Sequence, residues 1–183
     1  MLIALFPGHV GKDSGAIDPT GPGDRLHTVE AAVTAGITGK ISMLLKLLGL
    51  DHIIAAGGWD YRIIATKACN LGVEIHADIC SNENAIGFHV IHHPSSAKGK
   101  ELAACIDRAL GLNLTRARDP HSARLKILTD TGFPVVVVEC GFLSNTIDEA
   151  LLLNEGHQFN IAFAVVQGIR EFVYKQTGKG SGK

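Results

Sequence analysis

Aromatic residues are scarce in this chain, at 5% of 183 positions, while Gly (21 residues) and Ala are plentiful. That balance suits helices packed closely on a sheet. No charge of one sign dominates: the formal net charge is −1, which gives no reason to expect nucleic acid or an anionic membrane as the main partner. No apolar run approaches the ~18 to 20 residues that span a bilayer. The four cysteines, Cys69, Cys80, Cys105 and Cys140, show no CxxC spacing. They are read as reduced and buried, not as disulfides or metal ligands. The amino terminus, Met1 to Pro7, is apolar but has no cationic start and no small-residue cleavage site. It reads as a first strand, not as a signal peptide.

With 46% apolar residues, the chain is long enough for one well-buried domain and short for two. Neither an internal repeat nor a dividing linker is visible. Strand and helix signals alternate, which predicts a single α/β domain over residues 1–177 and a flexible tail over 178–183. The sheet is expected to be twisted and mostly parallel, with helices on both faces. Leu2 to Phe6 is the first predicted strand, followed by a Gly/Pro/Asp-rich loop from Gly8 to Asp24. A long helix is expected from about Thr28 to Leu48, with Thr28 as N-cap and Gly49 as stop. His52 to Ala56 reads as a strand, and Asp60 as the cap of a helix reaching about Asn70, closed by Gly72. Strands follow at Val73–His76 and Gly87–His92, then a helix from Ser95 or Ser96 to Leu110 and a short one around Leu125–Leu128. The last long helix, about Phe159 to Tyr174, sets Ile161, Val165, Ile169 and Phe172 near helical spacing.

The most informative residue is Glu139, directly after Val135-Val136-Val137-Val138. Consecutive valines read as a central strand covered on both faces. A carboxylate following them costs several kcal/mol to bury unpaired, so it is expected where the strand emerges, facing a cation or a site. Ligands of open α/β sheets bind outside the carboxyl ends of the strands. Three more polar residues fall at such ends: His9 after the first strand, Glu30 in the first turn of the long helix, and His76 at the end of the third strand. Each has an ordinary structural role available; Glu30, for one, is favoured by the helix dipole. Together, two histidines and a carboxylate make a three-ligand zinc set with a fourth position open.

These residues sit in an ordered set of motifs: Pro7-Gly8-His9-Val10-Gly11 followed by Gly15-Ala16, Glu30 in a helix, Ile75-His76-Ala77-Asp78, Gly87-Phe88, and Val138-Glu139-Cys140-Gly141-Phe142-Leu143-Ser144-Asn145 followed by Asp148-Glu149. In this the chain resembles the zinc-dependent N-acetylmuramoyl-L-alanine amidases, peptidoglycan-cleaving enzymes of bacterial autolysins and phage endolysins. The resemblance covers nearly the whole chain. It implies one zinc ion per chain held by His9, Glu30 and His76, with Glu139 as the catalytic carboxylate. The bond implied joins N-acetylmuramic acid to L-alanine of the stem peptide. The chain departs from the family pattern at Val10, where glycine is usual, and at Asp78, where asparagine is common. The Gly57-Gly58-Trp59-Asp60 region also lacks the usual Thr-Arg element. A monomeric, phage-type endolysin held in the host cytoplasm until lysis is the expected setting. The alternatives are a zinc peptidase cutting within the stem peptide and a non-catalytic wall-binding module.

Asp78, His89 and Asn145 are the residues expected to face substrate. His89, His92 and His93 form a cluster, but strand alternation puts only His89 and His93 on one face, which argues against a second metal site. Arg116, Arg118 and Arg124 serve the surface or pair with carboxylates, and one of them has the chemistry to hold a stem-peptide carboxylate bidentately. Cys140 beside Glu139 reads as a buried structural cysteine, with no activating base in view. Trp59, on a Gly-Gly loop, stacks on sugar or packs locally.

Overall fold

The computed structural model describes residues 1–17 and 28–178. Its elements are β1 (Ile3–Pro7), α1 (Glu30–Leu47), β2 (His52–Ile54), α2 (Trp59–Ala65), β3 (Leu71–Asp78) and β4 (His89–His92), then α3 (Ala97–Leu110), β5 (His121–Ser122), α4 (Lys126–Asp130), β6 (Val135–Phe142), α5 (Thr146–Leu153) and α6 (Glu155–Thr177). The strands form one six-stranded sheet in the order β2-β1-β3-β6-β4-β5. All neighbours run parallel except β4 and β6. The expected α/β fold, mostly parallel with helices on both faces, is the fold observed.

The two faces differ in depth. Strand alternation sends Ile3, Leu5, Val73, Ile75, Val136 and Val138 to one side, where they pack with α1, α3 and α6 residues such as Ile37, Ile106 and Ile169. The other side, carrying Ala4, Phe6, Val135 and Val137, is covered by a smaller cluster with Ile127 and Leu128 of α4 and Trp59 of α2. Those covering helices have only 7 residues in α2 and 5 in α4. The carboxyl end of this thinner face is left open, and Glu74, His76 and Glu139 continue along it.

Several expected boundaries move. Helix α1 begins at Glu30 behind Val29, with no side-chain cap, because the Thr28 hydroxyl is drawn instead to the buried Glu149 carboxylate. Gly49, in the left-handed region at φ 65°, ends it as expected. Asp60 lies inside the first turn of α2 rather than at its cap, and α2 stops at Ala65. Gly72 belongs to β3, not to a helix stop. Ser96, not Ser95, caps α3, its oxygen accepting from the Gly99 N–H. Helix α5 and strand β5 were not expected, and α6 starts earlier than Phe159 because Asn154 caps it. Strand β6 runs on to Phe142, so Glu139 lies within the strand and not at its exit. The part of the predicted Gly8–Asp24 loop beyond residue 17, and the tail after residue 178, lie outside the described residues. No helix among the described residues is long and apolar enough to cross a membrane.

Asp148 ties the sheet to α5. Its Oδ2 accepts from the Gly87 N–H at 2.7 Å and from the Phe142 N–H at 2.9 Å, and the residue is 5% exposed. Asp148→Ala strands both donors in the interior and is expected to cost about 2 to 4 kcal/mol. A urea titration should show a lower midpoint at unchanged slope.

Candidate active site

Glu30 is the hub of the site. Although it leads α1, on the deeper face of the sheet, its carboxylate reaches the ends of β1 and β3. Oε1 lies 2.8 Å from His76 Nδ1 and accepts from the Ala77 N–H at 3.1 Å. Oε2 lies 3.2 Å from His9 Nε2 and accepts from the Ala16 N–H at 2.8 Å. Burial pushes its pKa up, but the hydrogen bonds from His76 and from both backbone amides outweigh this and hold it below the usual glutamate value. One donor atom from each of His9, Glu30 and His76 falls within 4.8 Å of the others.

Two glycines make this approach possible. A Cβ on Gly8 would stand 2.6 Å from the Ile75 carbonyl oxygen and 2.7 Å from the His76 ring; on Gly15 it would meet His9 at 2.5 Å and Glu30 Oε2 at 2.6 Å. His9 itself adopts φ 53°, the left-handed region, at a cost on the order of 1 kcal/mol for a non-glycine residue. Val10 takes no positive φ, as its β-branch requires.

The second nitrogen of each imidazole is also held. His9 Nδ1 lies 2.9 Å from Asp13 Oδ2, and His76 Nε2 lies 3.5 Å from Glu74 Oε2. Glu74 is in turn paired at 2.7 Å with Arg62, which also donates to the carbonyls of Pro7 and Gly57. Burial alone would lower the His76 imidazolium, yet its bonds to Glu30 and Glu74 raise it to about 10. Metal-bound histidines are characteristically oriented in this way through the nitrogen that does not bind. None of Asp13, Glu74 or Arg62 was singled out from sequence. The signals were the i,i+4 spacing of His9 and Asp13 and the i,i+2 spacing of Glu74 and His76, which puts both on one strand face.

Glu139 sits in register with His76 across β3–β6 and with His89 across β4–β6. All three therefore share a face at one height of the sheet. Its Oε2 is enclosed and finds no hydrogen-bond partner. Burial, chiefly, pushes its pKa up to about 8; the His76 charge opposes the rise, and Asp78, Glu30 and Glu74 add to it. A carboxylate poised there can take a proton and give it back near neutral pH. Cys140 points to the opposite, deeper core, and burial drives its thiol up, as a structural cysteine requires.

A cleft of about 340 Å³ opens beside the cluster, lined by His9, Asp13, Gly57, Trp59, Arg62 and His76 among others. Trp59 packs locally there, with Lys126 Nζ 4.1 Å from its ring centroid. Asp78 is half-buried at the end of β3, with Oδ2 3.9 Å from His89 Nε2. His89 is only 1% exposed. Asn145 uses its side chain to cap α5 and to donate to the Glu83 carbonyl at 2.7 Å. Among the described residues, His9, Glu30 and His76 are the one group of three with metal-ligand spacing, so the 89–93 histidine cluster adds no second set.

A donor set of metal-binding size beside a carboxylate whose pKa burial raises is suited to hydrolysis. The chain belongs to the N-acetylmuramoyl-L-alanine amidase family, whose profile matches residues 3–171. Among curated proteins it is similar to a probable cell wall amidase, LytH, of Staphylococcus epidermidis, at 27% identity over 173 residues covering 93% of this chain and 57% of that protein. The chain thus spans a little over half the length of such relatives. Among solved structures it is similar to the CwlD amidase of Clostridioides difficile, determined in complex with the GerS lipoprotein: 25% identity, TM-score 0.84, covering 95% of this chain and 98% of that one. The amidase AmiC2 of Nostoc punctiforme shares the fold, with TM-score 0.83 at 24% identity over 94% of this chain and 97% of that one.

The Arg62–Glu74 pair is buried, at 9% and 8% side-chain exposure. Glu74→Ala leaves the guanidinium without its carboxylate and is expected to destabilise by roughly 3 kcal/mol. An Arg62→Met/Glu74→Leu double variant should recover most of that loss in urea denaturation. Equal midpoints for wild type and Glu74→Ala would show that the pair contributes nothing.

Proposed function

We propose that this protein hydrolyses the amide bond between N-acetylmuramic acid and L-alanine in peptidoglycan, with zinc held by His9, Glu30 and His76 and with Glu139 as general base and then general acid. The observation that carries the reading is Glu139, whose enclosed Oε2 has no hydrogen-bond partner and which lies in register with His76. The donor set fits zinc, with two neutral-capable imidazoles, one carboxylate, and outer hydrogen bonds to Asp13 and Glu74 that fix each ring. Bound zinc supplies Lewis acidity, activating water and polarising the scissile carbonyl. Glu139 accepts the proton of the attacking water and returns one to the departing amine of L-alanine. Its pKa, raised by burial to about 8, suits a group that must do both near neutrality.

The relatives named as cell wall amidases support the wall as the place of action. The endolysin role is a further part of the proposal and requires lysis of host walls by the isolated protein.

Three measurements on one preparation test the reading. Glu139→Gln should retain zinc and the fold while turnover drops at least about a hundredfold. His9→Ala and His76→Ala should lose zinc and turnover together. Chelation should abolish release of stem peptides beginning with L-alanine, identified by mass. Cleavage that survives complete zinc removal would overturn the mechanism, and a new amine further along the stem would replace amidase by peptidase.

A further inference from the structure

The cleft is rich in carboxylates: Asp13, Glu30, Glu74, Asp78 and Glu139 stand in or beside it, and Arg62 is consumed by Glu74 and two backbone carbonyls. An anionic substrate therefore needs a cation of its own. Arg118, exposed on the segment after α3, is placed to be that cation. The backbone presenting it is pinned to the start of β4: the Phe88 N–H donates to the Thr115 carbonyl at 2.9 Å and the Ala117 N–H to the Phe88 carbonyl at 2.8 Å. The neighbouring Arg116 is spent, its guanidinium forked onto Asp107 at 2.8 and 2.7 Å.

Arg118 is anchored differently. One of its terminal nitrogens lies 3.1 Å from His89 Nε2. Arginine can only donate, so His89 accepts there and is neutral. Burial, then the Arg118 charge, keeps the His89 imidazole down at about 4. His89 is wedged against the rings of His121 and Phe142, at 5.3 and 5.8 Å between centroids. It is too enclosed to take a ligand, but it is rigid enough to aim the guanidinium. His89 is also the cross-strand partner of Glu139. No carboxylate among the described residues lies within ion-pair distance of Arg118, so most of its planar fork of donors stays free.

We propose that Arg118, aimed by His89, is a specificity-determining residue that binds the free α-carboxylate of the stem-peptide residue following L-alanine, beside the reacting amide. This rests on the amidase reading above, because in that substrate the lactyl carboxyl is already tied up in the scissile amide and the free carboxylates belong to the peptide.

The test uses a matched pair: N-acetylmuramoyl-L-alanyl-D-glutamate, with a free α-carboxylate, and its D-isoglutamine counterpart, with a primary amide there. Hydrolysis of both is followed by kcat/KM. Binding of the two dipeptides they would release is measured by calorimetry on the zinc-loaded protein. Wild type is expected to favour the carboxylate at least about tenfold in each readout. Arg118→Gln should bring the ratio to about one, and Arg118→Lys should restore part of it. Hydrolysis with no carboxylate preference, or a preference that Arg118→Gln retains, overturns the subsite and leaves the reaction standing. An Arg118-dependent preference in dipeptide binding without hydrolysis of either substrate supports the subsite and overturns the amidase reading.

Discussion

A carboxylate with 4% of its residue surface exposed is the constraint on which this site depends. Burying the charge of Glu30 costs several kcal/mol unless it is met by donors, and it is met by two imidazoles and two backbone amides drawn from two other segments of the chain. Those bonds lock the start of α1, the turn after β1 and the end of β3 into one geometry. The Thr34 hydroxyl, one turn into α1, adds to it by donating to the Gly8 carbonyl at 2.6 Å. Gly8 and Gly15 must lack side chains for the segments to meet, and His9 must hold a left-handed backbone. The same geometry gathers the donors of a metal site.

The sheet supplies the second half of the arrangement through asymmetry. Its deeper face carries the long helices and most of the apolar core. Its thinner face has helices too short to reach the carboxyl end, and that is where alternation sends Glu74, His76 and Glu139. The antiparallel β4 then brings the beginning of one strand beside the later part of another. Residues at opposite strand positions, His89 and Glu139, become neighbours. With every strand parallel, the amino end of β4 would lie at the far edge of the sheet.

Much of this was legible in the chain. The valine run, the alternation of strand and helix signals, and the order of His9, Glu30, His76 and Glu139 require only local periodicity and residue chemistry. Capping and pairing over long sequence distances leave no such local mark. Thr28 looked like an N-cap, but Glu149, 121 residues away, takes its hydroxyl. Gly72 looked like a helix stop because the apolar strand that contains it begins only one residue earlier. Glu139 looked like the last residue of its strand because the valines end there, yet the ladder with β3 continues to Phe142. Asn145, expected to face substrate, also caps α5 with its Oδ1 and donates from Nδ2 to the Glu83 carbonyl.

The sequence by itself determined the fold class, the covered central strand, and which histidines and carboxylates lie towards the carboxyl ends of strands or at a helix start, because periodicity acts over a few residues. Only the tertiary structure decided which of those groups meet. Hydrogen-bond partners such as Arg62 for Glu74, Asp107 for Arg116 and His89 for Arg118 depend on sheet order and strand direction. These follow from how the whole core packs, and no local pattern in the chain encodes them.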